Sequence, residues 1–318
     1  MKFLENKKSA VEKIKKFTEV LVYITLATTI LGYFSKFNFL FDICSQFRMQ
    51  YLLFGLILLV YCIIKKRKTV TGLLIVCIVV LNLFSVLGSV KVNDNTKKQG
   101  FTIEVVNVLR ENQKYDTVRN EINGNSPDIV VIQELDDKWS EELQPVKENY
   151  PFMYEISRDD GFGIALYSKI HITEIRKLNV GMLDIPAISA FCDYKGKVFE
   201  IICIHTTPPT NQTYFKNTQK ITQDLADYIA ENGHNAIIAG DFNTSHYSYN
   251  YKNFIKTSKM KDLSSIFHPT WPTFLLFPFR ITLDHIFITK SFAVRDYAVG
   301  KNIGSDHLPI WAEISFKE

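Results

Sequence analysis

Residues able to move protons or hold a cation recur at the ends of apolar runs beyond residue 100 of this 318-residue chain. Asn107 interrupts VVNVL at 105–109, and Glu134 closes the run DIVVIQ at 128–133. His205 ends another run, and Asp241 and Asn243 follow Ala236–Ala239. Asp284 and His285 lie inside Ile281–Thr289, while Asp306 and His307 precede the last run. Singly, each has an ordinary reading as a turn residue, a buried amide, a packed core histidine or half of an ion pair. Collected at strand ends from separated segments, they describe a site assembled at one edge of a sheet. Such a set offers oxygen ligands to a hard cation and paired groups for proton transfer.

The elements that must position them follow from periodicity. Phe101–Val108 reads as a strand, Tyr115–Asn123 as a short amphipathic helix, and Asp128–Gln133 as a buried strand. Gly163–Tyr167, His171–Leu178, Ala187–Tyr194 and Lys197–His205 continue as strands. Tyr214–Glu231 is the longest helix, with Ile221, Leu225, Tyr228 and Ile229 on one face. Ala236–Ala239 is a strand, Tyr249–Ser258 a helix, and Ile281–Thr289 and Leu308–Phe316 the closing strands. Many strands with few helices predict an α/β fold, a four-layer sandwich of two packed mixed β-sheets flanked by helices. Cys192 and Cys203 flank a turn at Lys195-Gly196 and lie too far apart to bridge, so no disulfide framework is implied.

The first third is different. Apolar runs at Phe17–Phe34 (extending to Phe41 past Lys36), Met49–Ile64 and Val70–Val90 predict three transmembrane helices, the second of them short. None carries a polar stripe at helical spacing. The expected organisation is a membrane domain over 1–92, a polar connector at 93–100 (NDNTKKQG) and a catalytic domain over 101–318. Lys2, Lys7, Lys8, Lys13, Lys15 and Lys16 precede the first run, and Lys65-Lys66-Arg67-Lys68 separates the second from the third. The excess of positive charge places both on the cytoplasmic side, so after three crossings the catalytic domain emerges extracytoplasmically. Charge splits the same way. Residues 1–95 hold 13 Lys and Arg against 5 Asp and Glu, and residues 96–318 hold 24 against 28. The basic balance therefore belongs to the membrane part, and the mildly acidic remainder disfavours a nucleic-acid partner.

The stretches VVNVL, PDIVVIQEL (127–135), GIALYSK (163–169), IHTTPP (204–209), AGDFNTS (239–245), LDHIFIT (283–289) and GSDHLPIWAEI (304–314), in that order, resemble the endonuclease/exonuclease/phosphatase superfamily of DNase I-like enzymes. The apolar prefix and the HTTPP continuation are similar to a membrane-anchored bacterial branch of it. The resemblance implies Glu134 as principal Mg²⁺ ligand with Asn107 beside it, Mn²⁺ being a substitute. It implies that His307, held by Asp306, sits across the scissile phosphate. Asp241 would orient or deprotonate the attacking water, with Asn243 and His205 on phosphate oxygens and Asp284 as a second acidic partner. Either His307 or Asp241 then serves as base. The chemistry is consistent: a phosphoester anion resists attack by water until a divalent cation neutralises the transferring group. Mg²⁺ prefers carboxylate and amide oxygens to a Cys/His cage.

Two features bear on substrate. The basic DNA-gripping loops of the nuclease branch are not evident, and Asp159-Asp160 would suit one poorly. Trp271 with the run Phe274–Phe279 (FLLFPF) is either a loop covering the core or a wall that meets a lipid tail or bilayer surface. The expectation is a hydrolase of a phosphorylated lipid or lipid-linked pyrophosphate, with no obligate protein partner. The alternatives are an anchored extracytoplasmic nuclease and a catalytically inactive binding module.

Overall fold

The computed structural model describes residues 2–64, 70–89 and 96–317, leaving the side chains of 2–11, 14 and 15 aside. The basic loop at 65–68, the start of the connector at 93–95 and several N-terminal lysine side chains lie outside the described residues. The chain divides into two compact units, Met1–Ser89 and Val90–Glu318.

The first unit is helical: α1 (Lys2–Leu31) running into a 3-10 turn, α2 (Phe39–Gln46), α3 (Arg48–Ile64) and α4 (Val70–Leu87). By length and composition two helical stretches, Lys16–Phe34 and Val70–Leu87, can cross a bilayer. There are three if α2 and α3, bent by 56° at Phe47, form one broken span. The short second run of the sequence thus acquires a preceding helix. Polar groups turn inward among these helices. Arg48 Nη1 donates to the Thr29 carbonyl at 2.7 Å, and Asn82 Nδ2 donates to Thr29 Oγ1 at 3.0 Å.

The second unit holds two six-stranded sheets. The first contains β1 (Phe101–Asn107), β2 (Ile129–Gln133), β3 (Phe152–Ile156), β4 (Ile164–Ser168), β11 (Phe292–Val299) and β12 (Ile310–Phe316), in the order β11-β12-β1-β2-β4-β3. The second contains β5 (His171–Leu178), β6 (Ala187–Tyr194), β7 (Lys197–His205), β8 (Ala236–Asp241), β9 (Lys261–Asp262) and β10 (Asp284–Ile288), in the order β5-β6-β7-β8-β10-β9. Ile103, Val105, Val131, Ile201, Ile237 and Ile286 belong to the core between them. The opposite faces are covered by helices. Val118 of α5 (Tyr115–Asn125), Trp139 of α6 (Asp137–Glu142) and Val146 of α7 (Gln144–Lys147) pack with Val130 and Ile132. Ile221, Leu225 and Ile229 of α8 (Gln212–Asn232) and Phe254 of α9 (Tyr249–Ser258) pack with Ile202 and Ile238. These are the expected four layers. β3, β11 and the two-residue β9, all edge strands, were not legible in the sequence, whereas the fourth edge strand, β5, was.

Each sheet has one parallel pair, β1 with β2 and β7 with β8. Parallel neighbours end at the same edge, which brings Asn107 beside Gln133 and His205 beside Asp241. Antiparallel β10 sets Asp284 opposite Asp241. Close approach of β7 to β8 demands glycine at 240, where φ is 149° and a Cβ would stand 1.9 Å from the Ile204 carbonyl oxygen. Gly240→Ala is expected to cost about 3 kcal/mol or more, read as a fall in the thermal unfolding midpoint. An unchanged midpoint would show that the strands can separate without penalty.

Candidate active site

Three of the site residues sit where a strand breaks. The backbone turns into the left-handed region at Leu109, just after β1, at Glu134 after β2 and at Asn243 after β8 (φ 55°, 62° and 47°). Such conformations are unusual for side-chain-bearing residues and gather at functional sites. They turn the chain away from the sheet edge and leave the flanking side chains pointing into one space.

The carboxamide of Asn107 links two strand ends. Its Nδ2 donates to Glu134 Oε1 at 3.0 Å and to Asp241 Oδ2 at 3.2 Å, and its Oδ1 accepts from the Leu109 amide at 3.0 Å. The Leu109 N–H can pair only with oxygen, so the nitrogen is the atom that faces the carboxylates. Asn107 therefore bridges the two carboxylates as a donor. Glu134 Oε2 accepts from the Arg110 amide at 3.1 Å, a contact with no sequence signal because the donor is backbone.

Asp241 Oδ2 is the hub. His205 Nε2 and His307 Nε2 each lie 3.6 Å from it, and Oδ1 accepts from the Asn243 amide at 2.8 Å. Asn243 Nδ2 donates to the Thr206 carbonyl at 2.8 Å, tying the loop after β8 to the end of β7.

The partner of His307 differs from expectation. Its Nδ1 is 2.9 Å from Asp284 Oδ2, so Asp284, not the adjacent Asp306, holds the ring. Adjacency in sequence does not set the pairing, because Asp306 and His307 lie in the bend before β12, where the His307 ring reaches Asp284 on β10. Asp306 instead accepts from Trp271 Nε1 at 2.9 Å, and the Trp271 and His307 rings are 6.5 Å apart. Asp241, Asp284 and His307 form one of the groups that converge closely enough to ligate an ion. Of the residues singled out in the sequence, Asn107, Glu134, His205, Asp241, Asn243, Trp271, Asp284, Asp306 and His307 thus fall into one connected neighbourhood, and His285 does not.

Burial sets the charge states. It pulls the His307 imidazole down, but the Asp284 and Asp241 carboxylates outweigh it and push the ring up to about 10. His205 is lowered by burial, with Asp241 opposing. Asp241 is pushed by burial up to about 6, with His307 opposing. Glu134 is also raised by burial, despite the Asn107 and Arg110 donors. Near neutral pH the site then holds a cationic His307 between two carboxylates and a neutral His205. A raised histidine stabilises the fold fully below its unfolded value, about 6.5, and ceases to do so as pH rises through its folded one. With chelator present, stability should decline from about pH 7 to about 10, and His307→Gln should remove that component. The check is the difference between the two proteins' unfolding midpoints against pH. Parallel curves would mean that His307 is not cationic.

The family profile described as the Endonuclease/Exonuclease/phosphatase family matches residues 105–307. No curated protein sequence matches the chain. Solved structures share its fold at low identity. An endonuclease/exonuclease/phosphatase family protein from Leptotrichia buccalis is 21% identical, with a TM-score of 0.56 over 68% of this chain and 100% of its own. The human Nocturnin catalytic domain, solved with a bound sulfate anion, is 20% identical, with a TM-score of 0.57 over 71% and 97%. A variant of the Staphylococcus aureus beta toxin with bound magnesium ions is 17% identical, with a TM-score of 0.55 over 67% and 99%. Two mixed sheets with their strand ends gathered around Asp241, together with a profile match spanning Asn107 to His307, place this chain in the endonuclease/exonuclease/phosphatase family, whose enzymes hydrolyse phosphoesters, generally with a divalent metal.

Proposed function

We propose that this chain is a membrane-anchored, Mg²⁺-dependent phosphoester hydrolase acting on a phosphorylated lipid or lipid-linked pyrophosphate at the extracytoplasmic face. The observation that carries the lipid reading is the segment Phe274–Phe279. Phe274 and Leu276 are 79% and 75% exposed, with Phe277 and Phe279 exposed beside them. The segment is joined to the site: the Thr273 amide donates to the Asp306 carbonyl at 2.9 Å, and Thr273 Oγ1 to the Ser305 carbonyl at 2.8 Å. Its backbone is bonded within itself. Arg280 donates to the carbonyls of Thr273 and Leu275, each at 2.7 Å, and the Phe279 amide to the Leu276 carbonyl at 2.9 Å. Carbonyls that are already paired within the loop lower the cost of its entering an apolar phase. The apolar N-terminal helices support anchoring, and the flanking lysines support the sidedness.

The donor set fits Mg²⁺. Glu134 is a carboxylate that burial penalises, and Asp306 Oδ1 is buried without a hydrogen-bond partner. Both gain from a hard cation that takes oxygen ligands. Glu134 and Asp306 would hold it, and bound there it would neutralise charge on the phosphoryl oxygens. The remaining steps belong to the chain. Asp241, ionised near neutral pH, orients the attacking water and accepts its proton. His307, fixed through Nδ1 by Asp284, presents Nε2–H to the negative charge that develops on the phosphate. His205 and Asn243 complete the cradle, and Trp271 walls the side nearest the apolar segment.

Detergent-solubilised full chain with Mg²⁺ is expected to release phosphate from a lipid phosphate or lipid pyrophosphate in mixed micelles. Phe274→Ser with Leu276→Ser should lower that rate about tenfold or more while leaving a soluble phosphoester unaffected. Equal losses on both substrates would contradict a role in lipid contact. Mg²⁺-dependent degradation of plasmid DNA, abolished by His307→Ala and unaccompanied by lipid turnover, would replace this reading with the nuclease one.

A further inference from the structure

Side chains alternate along β10, so Asp284 enters the catalytic site while His285 points to the opposite face, beneath α8 and α9. There His285 meets His246, from the loop that carries Asn243, and Asp262 of β9, all 0–2% exposed. Asp262 Oδ2 lies 2.9 Å from His285 Nδ1 and 3.2 Å from His246 Nε2. Ser264 Oγ is 2.8 Å from the first nitrogen, 3.4 Å from the second and 2.9 Å from that oxygen. Five separations among these four ligand-type atoms are thus 2.8–3.4 Å, and the His246, Asp262 and His285 atoms all lie within 4.8 Å of one another. Zinc bonds of about 2.0–2.1 Å imply corners roughly 3.3 Å apart.

Proton counting favours an ion at its centre. His285 Nε2 lies 3.0 Å from the Thr244 carbonyl, which can only accept, so that nitrogen carries a proton. A neutral ring then aims its Nδ1 lone pair at a carboxylate oxygen. A second proton would relieve that contact alone. It would not relieve the crowding at Asp262 Oδ2, which also receives the Tyr251 hydroxyl at 2.7 Å. Two imidazoles and a tyrosine converge on one oxygen that has about two lone-pair directions, while Ser264 Oγ lies 2.9 Å from both oxygens of the carboxylate. A cation among the ligands resolves both conflicts. Donation of the other ring N–H to a backbone carbonyl is, moreover, the usual orientation of a ligating histidine.

We propose that His246, Asp262 and His285, closed by Ser264, bind a divalent transition ion of the zinc class at a structural site separate from the catalytic one. Two imidazoles select such an ion over Mg²⁺. Four protein ligands leave no position for substrate, so the ion fastens the loop bearing Asn243 to β9 and β10.

The test uses the full chain in detergent without a polyhistidine tag, stripped with chelator, equilibrated with Zn²⁺ and desalted. One zinc per chain is expected, with a rise in unfolding midpoint on the order of 5–10 °C. X-ray absorption at the zinc edge should show two imidazoles with oxygen ligands. Glu134→Gln should retain the zinc, whereas Asp262→Asn and His285→Gln should lose it. A wild-type chain that retains no zinc and gains no stability overturns the proposal. So does an all-oxygen zinc shell, or full zinc content in a folded His285→Gln protein. The readings on the wild-type chain decide the matter even where a variant fails to fold.

Discussion

Asp284→Asn is expected to reduce kcat by about 10³- to 10⁴-fold with little change in KM, the scale seen when a histidine loses the carboxylate that fixes its tautomer. The carboxylate holds His307 Nδ1 at 2.9 Å and keeps the ring cationic. An asparagine can retain the contact by offering its amide to Nδ1, which leaves the proton on Nε2 but makes the ring a neutral imidazole, so the positive charge that faces the phosphate is lost. The effect should therefore be chemical, with the unfolding midpoint little altered. Asp306→Asn supplies the contrast. Asp306 bonds Trp271 and does not hold the imidazole, so its loss should raise the Mg²⁺ requirement and spare the alkaline behaviour of His307. A smaller defect in Asp284→Asn than in Asp306→Asn, measured at saturating Mg²⁺, would return the orienting role to Asp306.

Glu134→Gln should be the second severe lesion, with activity down about 10³-fold or more and not restored by excess Mg²⁺. Its stability signature has the opposite sign. Burial holds the Glu134 carboxyl above its ordinary value, so the ionised form is unfavourable in the metal-free fold and costs stability once pH exceeds the unfolded value. The glutamine removes that charge while keeping shape. In chelator near neutral pH its unfolding midpoint should equal or exceed that of wild type, and added Mg²⁺ should stabilise only the wild type. A variant that loses activity by unfolding would show the reverse and would reduce Glu134 to a structural role.

The sandwich was legible because its central strands are unbroken apolar runs. Ile129–Gln133 and Ala236–Asp241 are buried throughout, and turn residues separate them from amphipathic helices such as α8, capped by Asn211 and closed by Gly233. The site was legible for the same reason: polar residues stand out where such runs end. The pairings within it were less so. Asp306 adjoins His307 in sequence, yet contact is set by cross-strand register, which placed Asp284 opposite Asp241 and within reach of the ring. Nothing in the sequence shows that the Asn107 oxygen accepts from the Leu109 amide while its nitrogen faces Glu134 and Asp241. The His246–Asp262–His285 cluster escaped altogether. Asp262 lies in a two-residue strand with no motif, and only the fold brings it against histidines 16 and 23 positions away.

Everything catalytic rests on Glu134, Asp241 and His307 enclosing one ion and one phosphate together. Paramagnetic relaxation of ³¹P in bound inorganic phosphate by Mn²⁺, measured on the zinc-loaded full chain, reads that proximity directly. Strong enhancement should appear in wild type, persist in His246→Gln and vanish in Glu134→Gln. Phosphate that binds wild type without sensing the manganese, or senses it equally in Glu134→Gln, would contradict a shared site.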